Sequence, residues 1–84
     1  MNINEIIGER MRLARTRKEW NQSDLARAVN RPRQHISQVE QGRQQPRAEL
    51  LIDIADALGV TIDYLLGRTP VPDTEADLAA VGRN

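Results

Sequence analysis

The chain has 84 residues, and its 12 basic and 12 acidic side chains balance to a formal charge of zero. That length predicts one small domain with a modest core. With no Cys and one His, disulfides, thiolate metal sites, Cys nucleophiles and His-based metal centres are excluded, and any metal would have to bind mainly through carboxylates.

No apolar run approaches the roughly 18 residues of a membrane span. The start, Met1-Asn2-Ile3-Asn4-Glu5, lacks the basic-then-apolar layout of a signal peptide. The expectation is a cytoplasmic protein with no membrane contact and no cofactor. Trp20 and Tyr64 are the only aromatic residues, which disfavours nucleic-acid binding by stacking on aromatic platforms. Ala, Leu, Arg, Gln and Glu dominate and β-branched runs are missing, so the fold class is all-α.

The first helix is expected over residues 3–18, with Ile7, Met11 and Ala14 on one face and Asn2 or Asn4 as cap. Asn21 opens a second helix, about 22–29, whose apolar side is Leu25, Ala26 and Val29. Asn30 then tolerates a left-handed turn. A third helix is expected over 32–41, with Pro32 as first helical residue and Gly42 as stop. Ala48 to Leu58 carries Leu51, Ile54, Ala55 and Leu58 at helical spacing, and Gly59 ends it. Thr61 caps a short fifth helix with Ile62, Leu65 and Leu66 apolar. Pro70 and Pro72 hinge a tail, in which residues 74–81 form a marginal helix only if it docks. The domain therefore covers 1–67 and the tail 68–84.

The neutral total conceals an asymmetry. Residues 10–47 hold ten basic residues against three acids, whereas 48–84 hold two against seven. A basic segment beside an acidic one suits a face turned to a polyanion and another turned away, although a solvated surface with uneven charge reads the same way. The third helix separates the two readings. With Ile36 and Val39 fixing its buried side, Gln34, Ser37, Gln38 and Gln41 fall opposite, with no acid among them and Arg33 on the flank. Gln pairs with adenine N6/N7, Arg with guanine O6/N7, and Ser serves as donor or acceptor. A short helix, a tight turn and a second helix with such a face make a helix-turn-helix arrangement.

Six segments in order carry a family resemblance: Ile7 to Arg15, Trp20 to Ala26, Ile36 to Gly42, Pro46, Ile54 to Gly59 and Ile62 to Gly67. Together, over about residues 6–67, they resemble the phage repressor/Cro-type helix-turn-helix domain, the Xre family. The resemblance implies a five-helix repressor-like bundle binding double-stranded DNA through helices 2 and 3, with homodimers on pseudo-palindromic operators. It places Arg33, Gln34, Ser37 and Gln38 at base-reading positions. It places Gln22 where a glutamine meets phosphate and steadies a reading side chain, and Arg43 where a basic residue meets phosphate. Asn21 at a helix N-terminus can add a backbone contact to phosphate, and Arg12 and His35 are further phosphate candidates. The resemblance also implies that Arg15 and Glu40 pair, joining helix 1 to helix 3. Asn30 stands where the family has Gly, and Pro32 stands where it has a Ser or Thr cap.

Trp20 is expected to plug the junction of helices 1 and 2. Ile62 and Tyr64 read as core or as dimer contacts on an apolar helix 5. The function expected is a sequence-specific transcriptional regulator, a repressor in kind. The alternative is a DNA-binding antitoxin or partner-regulated module whose tail, 68–84, holds another protein through Leu78 and Val81. An enzyme is disfavoured by the single His, the missing Cys and the absence of a Gly-rich phosphate loop. A pure protein-interaction bundle stays open only if the basic face binds no DNA.

Overall fold

In the computed structural model, residues 1–70 are described, and they form five helices: α1 Ile3–Arg17, α2 Gln22–Val29, α3 Arg33–Glu40, α4 Ala48–Leu58 and α5 Ile62–Leu65. The tail helix expected over 74–81 lies outside the described residues. Among those residues no strand occurs and no helix is long and apolar enough to cross a membrane.

Local chemistry sets each helix end. Asn2 caps α1 in a box with Glu5, and Asn21 caps α2 in a box with Asp24. Each box satisfies two otherwise orphaned donors. Asn30 ends α2 in the left-handed region (φ 57°, ψ 50°), and the Arg31 N–H reaches back to the Ala26 carbonyl at 3.0 Å. Pro32 differs from expectation. It is the N-cap of α3 rather than its first helical residue, with extended angles (φ −61°, ψ 143°). Proline brings no side-chain oxygen, so α3 starts without a side-chain cap hydrogen bond.

Five helices bury one continuous core. Ile7, Met11 and Ala14 of α1 meet Leu25 and Val29 of α2, Ile36 and Val39 of α3, Ile54 and Leu58 of α4, and Leu65 of α5. Ile54, Ala55 and Leu58 of α4 are buried as expected, but in the first turn Leu50, 3% exposed, takes the core position and Leu51 is only partly buried. Tyr64, one of the two residues read as core or dimer contact, is 5% exposed and so belongs to the core, which leaves Ile62 at the surface edge. Among the described residues, the exposed large apolar side chains are Met1 ahead of α1, Ile3 and Leu13 on α1, and Ile52 on α4, with none on α5.

α1 packs tightly on the backbone of α3 at Gly8. A Cβ there would run into the backbone carbonyls of Val39 and Glu40, so only glycine lets these helices touch. Arg10 holds the other end of the bundle. Its Nη1 donates to the carbonyls of Tyr64 (3.1 Å) and Thr69 (3.0 Å), and its guanidinium stacks over the Tyr64 ring at 4.6 Å.

Candidate nucleic-acid interface

α2 and α3 pack against each other through Leu25, Ala26 and Val29 on one side and Ile36 and Val39 on the other. With Ile36 and Val39 fully buried, the opposite side of α3 faces solvent. Arg33 and Gln34 are exposed there, and Ser37 and Gln38 are partly exposed. Gln41 donates from Nε2 to Ser37 Oγ at 2.8 Å. That bond leaves the Ser37 hydroxyl proton free to donate outward.

Glu40, the one acid on this helix, is withdrawn from that face, its side chain 4% exposed. Arg15 Nε donates to Oε2 at 2.7 Å and Arg15 Nη2 to Oε1 at 2.9 Å, a bidentate pair tying α1 to α3 as the resemblance implied. Arg15 Nη1 also donates to the Trp20 carbonyl at 2.9 Å, so Trp20 sits half-buried at the helix 1–2 junction, with Lys18 over its ring. The hydrogen bond to Glu40 raises the Arg15 pKa above its ordinary value, against the opposing effect of burial. The guanidinium is thus cationic at every working pH.

The pair extends to the outer surface. Gln22 Nε2 donates to Glu40 Oε1 at 3.1 Å, and Gln22 Oε1 accepts from Arg33 Nη1 at 3.1 Å. A continuous chain of polar contacts therefore runs from Trp20 through Arg15, Glu40 and Gln22 to Arg33. An open hollow beside it is lined by Arg15, Asn21, Gln22, Ser23 and Arg33. Three of the expected positions, Asn21, Gln22 and Arg33, are therefore brought together.

Asn21 departs from its expected phosphate-binding role. Its backbone N–H donates to Asp24 Oδ2 at 2.8 Å within the capping box, so it is not open to a phosphate. The open N–H groups at this end, among the described residues, are those of Gln22 and Ser23.

His35 lies on the opposite flank of α3 from Arg33. Together with Arg31, Gln44, Gln45, Arg47, Glu49 and Leu50 it lines a cavity of about 190 Å³. Arg31 and Arg47 were not singled out from the sequence beyond the basic run that contains them. The signal available was position alone, since they bracket α3 and its following loop. Arg43 is exposed just beyond Gly42, whose φ of +76° reverses the chain, while the Arg43 N–H reaches the Gln38 carbonyl at 3.0 Å. Arg12 departs from this grouping. It shares a hollow at the far end of α3 with Glu5, Glu9 and Glu40, a setting that opposes an approaching anion. Among the described residues no group of His, Asp and Glu is placed to hold a metal.

Two helices joined by a tight left-handed turn, the second carrying an amide-rich outer face between basic flanks, define a helix-turn-helix domain. The family model described as helix-turn-helix matches residues 11–65, and the chain belongs to that family. A protein of Rhodospirillum rubrum named an uncharacterized transcriptional regulator in the ATPase CF(0) region is 40% identical over 63 residues, covering 75% of this chain and 58% of that protein. The immunity repressor protein of Bacillus phage phi105 is 26% identical over 72 residues, 84% of this chain and 50% of that one. A crystal structure of the hypothetical transcription factor NHTF from Neisseria superposes with a TM-score of 0.74 at 31% identity, covering 93% of this chain and 85% of that one. The chain thus spans between half and three fifths of the length of the Rhodospirillum rubrum and phage relatives.

Proposed function

We propose that this chain is a sequence-specific, DNA-binding transcriptional regulator that acts as a homodimer, each protomer laying α3 in the major groove of one half-site. The observation that carries the reading is the outer face of α3: Arg33, Gln34, Ser37 and Gln38 point away from the core, with Glu40 drawn inward. An α-helix fits the major groove, where such side chains distinguish base pairs. Arg31, His35, Arg43 and Arg47 beside that face, with the Gln22 and Ser23 N–H groups, supply phosphate contacts that position the helix without choosing sequence. Arg12 has a weaker place in this scheme because of its acidic neighbours. Repression is the mode supported by the resemblance to the phage immunity repressor.

A salt-titrated mobility shift on duplexes selected from a random library tests the reading. The wild-type chain selects a half-site motif, and log Kd rises linearly with log salt concentration. Gln38→Ala weakens binding to the selected duplex by about fivefold or more while leaving binding to scrambled DNA within about twofold. Arg43→Ala weakens both alike and flattens the salt slope by about one contact. Equal loss on both duplexes in Gln38→Ala would contradict a reading role for α3.

A further inference from the structure

The amide of Gln22 has one satisfactory orientation, and Glu40 dictates it. As placed, its NH₂ donates to the Glu40 carboxylate and its oxygen accepts from the Arg33 guanidinium, both at 3.1 Å. Turned over, the amide oxygen would oppose a carboxylate oxygen and the NH₂ would oppose a guanidinium N–H, two repulsive contacts in place of two attractive ones. Glu40 is itself immobilised, held by two hydrogen bonds from Arg15 and 4% exposed. Short-range order therefore passes from a buried ion pair, through one amide, to an exposed side chain that otherwise has several free torsions.

From this geometry we propose that Glu40 is a positioning residue for base choice: acting through Gln22, it holds Arg33 as a reader of guanine. The inference rests on the DNA-binding reading above. An arginine free in solution loses rotamer entropy when it meets a base, and it can meet a phosphate instead. Arg33 tethered at Nη1 keeps its remaining N–H groups for the paired O6/N7 acceptors of guanine. Glu40 touches neither base nor phosphate in this scheme, so its effect falls on selectivity rather than on non-specific affinity.

The test measures Kd for duplexes with guanine or adenine at one position, namely the position whose preference Arg33→Ala abolishes. In Glu40→Gln the side chain can offer either an oxygen or an NH₂ to Gln22, so the amide orientation is no longer dictated. The guanine preference falls by about fivefold or more, while scrambled-DNA affinity and salt slope stay unchanged. Gln22→Leu produces the same fall, and the double variant falls no further, because both act on one contact. Arg15→Lys lowers Tm through the loss of bidentate geometry but keeps the preference, since Glu40 still holds Gln22. If Glu40→Gln does not fold, Glu40→Asp keeps the charge opposite Arg15 while retracting the carboxylate from Gln22, and its preference falls likewise. A wild-type chain that binds no duplex overturns the DNA-binding reading and this inference with it. A wild-type chain that selects a site but not guanine at the Arg33 position overturns the inference alone. So does undiminished guanine selectivity in the folded Glu40 variant.

Discussion

Arg15 and Glu40 show what a single buried pair contributes. The pair satisfies both carboxylate oxygens and bridges α1, α3 and the segment leading to α2. Removing one partner strands the other charge, at a cost of about 3–5 kcal/mol. Arg15→Met therefore lowers stability by that order in thermal or denaturant unfolding, and loss of less than about 1 kcal/mol would contradict the role. The pH dependence follows from the direction of the shift. A raised pKa in the folded state gives stability that is fully present below the unfolded value and lost as pH rises through the folded one. The Arg15 contribution is thus constant across the neutral range and fades only in strong alkali. The pairing of Arg15 with Glu40 was legible from the resemblance together with the helical wheel. The left-handed Glu19, with φ of 61°, was not, because glutamate carries no preference for that region and only the demand of the α1–α2 turn imposes it.

Helix placement depends on a few close approaches. Gly8 sets the α1–α3 distance, and through it the reach of Arg15 to Glu40. Gly8→Ala forces the two helices apart against backbone rather than a flexible side chain. Overpacking of this kind costs about 1–3 kcal/mol, whereas alanine in an unobstructed helix would gain up to about 1 kcal/mol. Unfolding measurements on the alanine variant should show the loss; a gain would refute the contact. Four of the helices were readable to within a residue or two at their ends, because Asn21, Asn30, Gly42 and Gly59 stop or start them by recognisable chemistry. Leu50 and Leu51 could not be ranked by periodicity, since adjacent leucines both fit a broad apolar stripe and only packing within the bundle picks one. Pro32 was placed one position too far inside α3 because proline fits a first helical residue and an extended cap equally by φ, and ψ decides between them.

Across the whole molecule, charge and burial cooperate. The basic excess of residues 10–47 becomes spatial once Arg31, Arg33 and Arg47 line hollows beside α3 and Arg43 stands exposed just past its end. Arg12 and Arg15 come from the same run but go elsewhere, one beside carboxylates and one into an ion pair. Sequence therefore announced a basic segment and the amide-rich face of α3 but not the outline of the surface they form, which depends on how loops fold back beside α3. The clusters around His35 and Gln22 join residues far apart in the chain, Gln22 with Glu40 and Arg31 with Leu50 among them, a proximity that no linear pattern encodes.

Dimethyl sulfate footprinting on a selected operator tests the placement of α3 most directly, since the reagent attacks guanine N7 in the major groove. Two protected patches centred about one helical turn apart, roughly 34 Å, are expected, with one guanine in each deprotected in Arg33→Ala. Strong binding with every major-groove N7 left reactive would contradict this placement.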